Sequence, residues 1–373
     1  MKIVTERAAL LKALTGLNRV VEKRNTIPIL TNVLLTAEGD ALDLKATDLD
    51  IEMTDRIRCE LETPGAVTVS ASMLHDIVRK LSDGAQVSLE TVENGARVAV
   101  KAGRSRFLLQ ALPAIDYPDL AAGEMPHRFS LPGSTQAKMI ARTRFAISTE
   151  ETRYYLNGIY WHIKDGVDGP MLRAVATDGH RLARAEIVAP DGSADMPGII
   201  IPRKAVGELE KLAEEAGKSD VAFEVSPHKI RVTVGTTVLT SKLIDGTFPD
   251  YQRVIPTAND KAAVIDINTL KSAIDRVSSV ASDKGNAVKF TFDDGRITLF
   301  VRNPDAGDAT DEVEADYDSP ALSIGFNARY ALDILSSLGG DTVRIKLADP
   351  GSPTIFQPTT DESLLCVLMP MRV

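Results

Sequence analysis

The sequence has few of the residues on which disulfide-bonded or metal-bound folds depend. Cys59 and Cys366 are the only two cysteines among 373 residues, which excludes a disulfide framework and a four-cysteine zinc site. The histidines also lack the i,i+4 spacing that directs two imidazoles at one metal ion; they are His75, His127, His162, His180 and His228. We therefore expect two buried thiols and no metal or other cofactor.

Long apolar runs and an excess of basic residues are also lacking. No stretch approaches the roughly 20 apolar residues of a membrane-spanning helix, and residues 1–6 show no apolar secretory signal. We therefore expect a cytoplasmic protein without a membrane partner. The formal net charge of −9 excludes a protein that coats nucleic acid over its whole surface, so any nucleic-acid contact needs a local basic face.

Catalytic motifs are weak. Residues 217–219 (Gly-Lys-Ser) resemble the end of a phosphate-binding loop, but Leu212 occupies the position of its earlier glycine. Asp178 and His180 could form an acid–base pair, although no nucleophile motif accompanies them. The other interpretation of this stretch is a turn in which Gly179 supplies a positive φ. We expect no enzyme activity, and two alternatives stay open: a hydrolase using Asp178 and His180, and a protein-interaction scaffold without a DNA role.

A threefold internal repeat with a period of about 130 residues is the strongest feature present. Residues 46–50 recur at 176–180, with an altered counterpart near Arg302. Apolar residues at helical spacing predict two helices in each copy. The predicted helices are 8–20, 72–81, 136–147, 203–213, 269–280 and 327–338.

Alternating segments joined by Gly-containing turns predict antiparallel hairpins between these helices, with turns at 38–40, 93–95 and 293–295. The sequence therefore predicts an α+β protein of three repeated domains, each with two helices packed on antiparallel sheets. The predicted domains are 1–121, 128–255 and 261–373.

Five separated stretches carry a family resemblance: 26–30, 153–158, 176–182, 248–251 and 369–373. Together they resemble the bacterial DNA polymerase III beta subunit family, the replicative sliding clamps, over essentially the whole chain. The resemblance implies the DNA clamp fold and a head-to-tail homodimer that closes into a ring around duplex DNA. It also implies a processivity factor without a catalytic site of its own. A ring of this kind follows when a heterologous interface closes on itself.

The resemblance also implies which residues face DNA. Arg24, Arg153 and Tyr154 correspond to family positions that touch the duplex, and Arg203 and Lys204 join them. Such contacts would be independent of DNA sequence. Further basic residues on the predicted hole-lining helices are Lys12, Arg19, Lys23, Lys138, Arg142, Lys211, Lys271 and Arg276. Ser72, Met73 and Glu150 depart from the basic or neutral residues that relatives can carry at those positions.

A partner-peptide pocket with two subsites is implied in the same way. The first would be formed by Leu156, Thr177, Gly179, His180, Arg181, Leu182, Pro249, Val254, Val367 and Met369. The second would be surrounded by Arg153, Tyr155, Tyr330, Pro370, Met371 and Arg372. The implied partners are the DNA polymerase III alpha subunit, a clamp loader, other polymerases, ligase and mismatch-repair proteins that carry clamp-binding peptides.

The implied dimer interface joins Phe107 and Leu109 of one chain to Ser279 and Val280 of the other. Relatives can carry more apolar residues at the last two positions, so we expect a weaker ring seam here. Gly351 and Pro353 also replace bulkier or more polar residues at the pocket edge.

Overall fold

The computed structural model describes residues 1–22, 26–120, 123–167, 169–281 and 287–372. The chain separates into two compact units. The first unit consists of Met1–Ser134 with Gly207–Leu243, and the second of Thr135–Val206 with Ile244–Val373.

The described residues form six α-helices and twenty-five β-strands. The helices are α1 (Arg7–Val20), α2 (Ala71–Lys80), α3 (Gly133–Ala141), α4 (Arg203–Ala216), α5 (Ile267–Ser278) and α6 (Ala328–Leu338). The strands are β1 (Lys2–Glu6), β2 (Asn32–Glu38), β3 (Ala41–Thr47), β4 (Ile51–Arg58), β5 (Glu60–Thr63), β6 (Gly65–Ser70), β7 (Gln86–Val92), β8 (Arg97–Ala102), β9 (Ser105–Leu112), β10 (His127–Pro132), β11 (Gly158–Gly166), β12 (Gly169–Thr177), β13 (Arg181–Val188), β14 (Ile199–Pro202), β15 (Asp220–Val225), β16 (Lys229–Val234), β17 (Thr237–Lys242), β18 (Lys261–Asp266), β19 (Ala287–Asp293), β20 (Arg296–Asn303), β21 (Gly307–Glu314), β22 (Leu322–Asn327), β23 (Thr342–Leu347), β24 (Thr354–Pro358) and β25 (Leu364–Leu368).

The order of these elements repeats three times. Each copy runs strand, helix, four strands, helix and three strands, and the first copy adds β5. Every helix begins directly after a strand without an intervening loop. The predicted repeat of two helices with antiparallel strands in each third of the chain is therefore confirmed.

Local sequence explains where the helices begin. The side chains of Ser70, Asp266 and Asn327 accept a backbone N–H from the first turns of α2, α5 and α6. These are N-cap contacts, which satisfy donors that a helix start would leave unpaired. The spacing of Leu10, Leu11, Leu14 and Leu17 predicts one apolar stripe on α1; Leu10, Leu14 and Leu17 are fully buried, and Leu11 is half-buried.

The helix predicted at 136–147 differs from the structure at both ends. It begins at Gly133 and ends at Ala141, followed by a short 3₁₀ helix at Arg144–Ala146. Near its end the Thr143 hydroxyl donates to the carbonyl oxygen of Met139 (2.9 Å). Thr143 has φ and ψ of −125° and −30°, which takes the backbone out of the helix.

Strands of neighbouring copies pair within each unit. The first unit holds one sheet of thirteen strands, in the order β10-β15-β16-β17-β4-β3-β2-β6-β9-β8-β7-β1-β5. The second holds a sheet of eight, in the order β14-β11-β12-β13-β25-β24-β23-β18, and a sheet of four, in the order β21-β20-β19-β22. Because β17 pairs with β4 and β25 pairs with β13, the two compact units do not coincide with the three copies. The predicted domain boundaries stay predictions.

Buried aromatic residues mark the centres of the packing. In the second unit Trp161, Phe290 and Phe326 are fully buried, and the rings of Phe290 and Phe326 meet edge to face with their centroids 5.2 Å apart. In the first unit Phe129 stacks on Phe223 at 5.0 Å. No helix within the described part of the chain is long and apolar enough to cross a membrane.

Candidate functional site

The turn between β12 and β13 is held by side chains that bond to its own backbone. The Thr177 hydroxyl donates to the carbonyl oxygen of Arg181 (2.8 Å) and accepts the N–H of Gly179 (3.1 Å). Oδ1 of Asp178 accepts the N–H groups of His180 (2.9 Å) and Arg181 (3.0 Å). Gly179 has a φ of +89°, which confirms its predicted role as a turn glycine. These bonds give the segment one defined shape.

The first copy contains the same turn between β3 and β4. The Thr47 hydroxyl donates to the carbonyl oxygen of Ile51 (2.8 Å) and accepts the N–H of Leu49 (3.0 Å). Oδ1 of Asp48 accepts the N–H groups of Asp50 (2.9 Å) and Ile51 (2.8 Å). These four hydrogen bonds therefore correspond one to one to those of the turn between β12 and β13. The glycine position is occupied by Leu49 at φ +81°, a left-handed conformation that side chains with a Cβ atom rarely adopt.

The surroundings of the two turns differ in polarity. Around the first, Nζ of Lys45 lies 2.8 Å from Asp119 and 3.6 Å from Glu52, and Lys242 lies 3.1 Å from Asp50. Ion pairs therefore fill this region. The second turn also carries ion pairs, those of Arg181, but a cavity with a mainly apolar lining opens beside it.

This cavity has a volume of about 170 Å³ and lies entirely within the second unit. It is lined by Leu156, Thr177, Gly179, Arg181, Leu182, Pro249, Asp250, Tyr251, Val254, Val367 and Met369. Nine of the ten residues predicted for the first subsite are among them. His180 lies beside the cavity, with its ring stacked on that of Tyr330 at 6.1 Å.

Asp250 and Tyr251 line the cavity without having been predicted as site residues. The sequence signal was present, because residues 248–251 form one of the five family stretches and lie shortly before Val254 in the chain. The 3₁₀ helix Tyr251–Val254 presents both Tyr251 and Val254 to the cavity.

Arg181 connects the turn to α6 through its guanidinium group, each nitrogen of which makes a hydrogen bond. It lies 3.1 Å from Asp178 and 2.5 Å from Asp333, and donates to the carbonyl oxygen of Phe145 (2.7 Å). Its guanidinium carbon lies 4.3 Å from the ring centroid of Tyr330. The side chain is only 10% exposed, so this arrangement shapes the cavity wall as a fixed structure.

Two of the residues predicted for the second subsite, Arg153 and Tyr330, contact the same turn. Arg153 is exposed, bonds to the carbonyl oxygen of Asp178 (3.5 Å) and lies 3.2 Å from Glu150. Tyr155 packs on the apolar residues beneath the cavity. The chain end runs alongside, because the N–H of Met369 donates to the carbonyl oxygen of His180 and the N–H of Met371 to that of Gly325, each at 2.9 Å. Pro370 is half-buried and Arg372 is exposed.

The residues predicted to face DNA occupy two adjoining segments, apart from Arg24, which lies outside the described residues. Arg153 and Tyr154 are exposed on the 3₁₀ helix Glu151–Leu156. Arg203 is exposed and Lys204 half-buried at the start of α4, and the N–H of Arg203 donates to the carbonyl oxygen of Asn157 (2.9 Å). The start of α4 therefore adjoins the end of the 3₁₀ helix.

Several other basic residues on the helices are engaged in ion pairs. Arg142 is 9% exposed and lies 2.6 Å from Asp361, so its guanidinium group is largely buried in an ion pair. Burial raises the pKa of Asp361, but hydrogen bonds from Ser363 and Arg142 outweigh it and hold that pKa well below its ordinary value. Arg19 pairs with Glu208 at 2.7 Å, and Arg276 with Asp311 at 2.7 Å.

The predicted dimer-interface residues differ in exposure. Phe107 is 37% exposed, whereas Leu109 is 4% exposed because its side chain faces the interior of the first unit. The neighbouring Leu108 is exposed instead. In the second unit Ser279 is exposed with its hydroxyl bonded to the carbonyl oxygen of Arg276, and Val280 is half-buried.

The side chains of Asp178 and His180 do not form the acid–base pair that a hydrolase would need. The Asp178 carboxylate accepts the backbone N–H of His180, while the His180 ring stacks on Tyr330. Burial raises the pKa of the Cys366 thiol to about 12, so this group is not an activated nucleophile. The described residues contain no cluster of metal-ligating side chains.

Comparison with known proteins agrees with the repeat and the site. Models of the N-terminal, central and C-terminal domains of the DNA polymerase III beta subunit match residues 1–121, 130–250 and 252–372. The chain is 50% identical to the beta sliding clamp of Caulobacter vibrioides over 373 residues, covering 100% of both chains.

Solved structures of similar proteins have the same fold. The chain matches the DNA polymerase III subunit beta sliding clamp of Bartonella birtlesii, bound to griselimycin, with a TM-score of 0.97, 49% identity and 100% coverage of both chains. It matches the C. crescentus beta sliding clamp with a TM-score of 0.98 and 50% identity, covering 100% of this chain and 99% of the other. With three domain models matched in order and half of all residues identical over the full length, the chain belongs to the DNA polymerase III beta subunit family.

Proposed function

We propose that this chain is a DNA sliding clamp that encircles duplex DNA and tethers DNA-processing enzymes through the cavity beside residues 177–181. The observation that carries this function is the apolar cavity on a rigid turn, in a member of the beta subunit family. The clamp contributes position and no chemistry, as expected of this family. Tethering makes an enzyme's return to its substrate intramolecular, at an effective concentration of roughly millimolar for a short flexible link.

The cavity suits an apolar side chain of a short peptide. A cavity of about 150 Å³ can hold a benzene ring, so a volume of about 170 Å³ accommodates one leucine or phenylalanine anchor. Val254 and Met369 are exposed at its opening and can cover the rest of such a peptide. Polar groups at the edge, including Asp250 and Arg153, can fix its direction.

The proposed DNA contacts are Arg24, Arg153, Tyr154, Arg203 and Lys204. Exposed arginines bind phosphate oxygens without selecting a base sequence, as a protein that moves along DNA requires. The net charge of −9 disfavours binding through any other surface. We infer that the closed ring itself keeps the protein on DNA, and that these contacts only keep the duplex centred in the ring.

A ring of two chains requires two unlike surfaces that fit each other. In the first unit, β9 pairs with β6 only at Ala111 and Leu112, which leaves that side of Ser105–Gln110 without a strand partner among the described residues. In the second unit, β21 is the outermost strand of its sheet. Exposed strand edges of this kind pair readily with another chain.

The charges on these two edges are complementary. Arg104 and Arg106 are exposed at the β9 edge, whereas β21 carries four acidic residues and no basic one: Asp308, Asp311, Glu312 and Glu314. Opposite charges favour the joining of unlike edges and disfavour the joining of like edges. This supports a head-to-tail homodimer, in which Phe107, Leu109, Ser279 and Val280 would lie at or near the seam.

The proposed partners follow from this role. They are the DNA polymerase III alpha subunit, a clamp loader that opens the ring, and other polymerases, ligase and mismatch-repair proteins with clamp-binding peptides. All of them act on chromosomal DNA, so we propose a cytoplasmic location.

Peptide binding tests the cavity directly. A labelled peptide with adjacent leucine and phenylalanine residues should bind the chain, and the same peptide with both replaced by alanine should not. Met369→Ala should weaken binding by about tenfold, since the methionine side chain covers part of the anchor. Met73→Ala is the matched control, because Met73 is an exposed methionine of α2 in the first unit. Equal affinity for the two peptides, or equal losses in the two variants, would contradict the assignment.

A further inference from the structure

One wall residue of the cavity is tied to a polar network on β11, β12 and β13. Tyr251 lines the cavity and is 5% exposed. Its hydroxyl lies 3.0 Å from Nε2 of His162 and accepts a hydrogen bond from Arg173 (3.4 Å). His162 and Arg173 are direct cross-strand neighbours, so β-sheet register brings them together at this hydroxyl.

The contacts determine where the hydrogen atoms of this network lie. Nδ1 of His162 is 3.2 Å from the carbonyl oxygen of Ile163, which can only accept, so Nδ1 carries the proton. In a neutral imidazole Nε2 is then an acceptor, and the Tyr251 hydroxyl donates to it. Since Arg173 can only donate, the Tyr251 oxygen is its acceptor. Every donor in the chain of contacts meets an acceptor in this one arrangement.

The network continues away from the cavity. Nε of Arg173 donates to Glu186 (2.7 Å), which also lies 3.6 Å from Arg184. The His162 ring stacks on Tyr160 at 4.7 Å, and Tyr160 stacks on Phe248 at 4.8 Å. The titratable and charged groups around His162 are Tyr160 and Lys164 on β11, Arg173 on β12, Arg184 and Glu186 on β13, and Tyr251 on the 3₁₀ helix.

These surroundings favour the neutral imidazole. Burial lowers the pKa of His162 below its ordinary value of 6.5; the Ile163 carbonyl oxygen opposes this shift, and the charges of Arg173 and Lys164 add to it. Protonation would place a hydrogen on Nε2, remove the acceptor for the Tyr251 hydroxyl and put a third positive charge beside Arg173 and Arg184. The Tyr251 oxygen would then have to accept hydrogen bonds from both His162 and Arg173, while its own hydrogen would lose its acceptor on His162. A proton on His162 therefore weakens the hold on Tyr251.

We propose that His162 is a positioning residue of the cavity: its neutral imidazole holds Tyr251 in the wall, and peptide capture weakens when the imidazole is protonated. This inference rests on the cavity being the peptide site of the proposed function. His162 itself does not line the cavity, so it acts through Tyr251.

The packing explains why Tyr251 matters to a peptide. Tyr251 belongs to one buried cluster with Leu156, Leu182 and Val367, which are also cavity residues. In such a close-packed group a displaced tyrosine ring changes the shape of the space beside it. Val254, at the opening of the cavity, is on the same short 3₁₀ helix as Tyr251. The hydrogen bond between His162 and Tyr251 therefore also helps to fix the position of Val254.

The test compares variants of His162 over a range of pH, using the labelled leucine–phenylalanine peptide. His162→Phe keeps an aromatic ring and removes the acceptor, so at about pH 8 we expect affinity to fall about threefold to tenfold, the effect of one hydrogen bond. His162→Gln offers an amide oxygen as acceptor and should recover most of the affinity. His228→Gln is the matched control, because His228 is an exposed histidine of the first unit.

The pH profile separates positioning from simple packing. Wild-type affinity should fall as the pH drops below 6.5, because the pKa of His162 lies below that ordinary value, whereas both His162 variants should show no such fall. By linkage, bound peptide should lower the pKa of the His162 ring in wild-type protein, which NMR of labelled histidine measures directly. This second measurement needs no variant and decides the case even if a variant folds poorly.

The outcomes are distinguishable. If wild-type protein binds no leucine–phenylalanine peptide at about pH 8, the proposed function fails and this inference with it. If wild type binds but His162→Phe keeps the same affinity and pH profile, only this inference is overturned. An unchanged His162 pKa on peptide binding overturns it equally.

Discussion

The two matching turns differ at one position, and exchanging the residue there tests why glycine lies beside the cavity. Gly179→Ala would place a Cβ atom at φ +89° and 2.8 Å from the guanidinium of Arg153. Arg153 is exposed and flexible, so its displacement costs little. The left-handed conformation itself costs a non-glycine residue about 1–2 kcal/mol, and we expect a loss of this size in the free energy of unfolding.

Leu49→Gly is the reciprocal change. Leu49 already adopts a φ of +81°, so glycine would relieve about 1–2 kcal/mol of strain and lose roughly 0.5–1 kcal/mol in chain entropy. Leu49 is 39% exposed, so removing its side chain also loses about 1 kcal/mol of apolar burial, and the net expectation is a stability close to that of wild type. Gly179→Ala should therefore lower stability more than Leu49→Gly does, although the hydrogen bonds of the two turns are the same.

The assay for Gly179→Ala is urea unfolding followed by tryptophan fluorescence. Trp161 is the only tryptophan, is fully buried, and lies on β11 next to Ala174 of β12. For Leu49→Gly the measurement is thermal unfolding by circular dichroism. The control is Gly207→Ala within α4, where an added Cβ meets no atom within 4 Å and should stabilise by about 0.5–1 kcal/mol. A wild-type stability for Gly179→Ala, or a clear loss for Leu49→Gly, would refute the reasoning.

Three further predictions concern other parts of the molecule. Arg181→Ala should lower the free energy of unfolding by about 3 kcal/mol in urea titrations, because it removes the cation that pairs with Asp178 and Asp333 and the donor to the Phe145 carbonyl oxygen; a loss below about 1 kcal/mol would contradict this. Arg106→Glu should weaken the dimer in sedimentation velocity at low salt, and Glu312→Arg in the same chain should restore part of it; unchanged dimer dissociation would count against the charged seam. The lowered pKa of Asp361 stabilises the fold above the ordinary value of 3.8, and this contribution is lost as the pH falls through the folded pKa. Asp361→Asn should therefore be less stable than wild type near neutral pH, and the difference should shrink in acid; a constant difference would be inconsistent with the ion pair.

Local patterns in the sequence predicted the elements well. The spacing of Leu10, Leu14 and Leu17 identified the buried side of α1, and Gly179 was correctly assigned to a turn. These features depend on residues close together in the chain, where periodicity and backbone preference act directly. The end of α3 was missed because it depends on how Thr143 bonds to the turn before it.

Features that depend on contacts between residues far apart in the chain were harder to predict from the sequence. The ion pair of Arg142 with Asp361 joins residues 219 apart in the chain, and no local pattern marks Arg142 as buried. The hold of His162 on Tyr251 likewise requires the cross-strand register of β11 and β12. Leu109 was predicted at the dimer interface because it is apolar, but its side chain is buried within the first unit, and this direction is set by the sheet. The cavity was largely identified through family resemblance, since apolar residues at 182, 254, 367 and 369 alone are equally typical of ordinary core.

The most direct test of the central claim is retention on DNA of different topology. Protein loaded by a clamp loader onto nicked circular DNA should stay bound through gel filtration, and cutting the circle once should release it within the time of the run. Blocking both ends of the cut DNA with bulky proteins should restore retention, because a closed ring then has no exit. Equal retention on open linear and circular DNA would contradict encirclement and leave ordinary surface binding as the explanation.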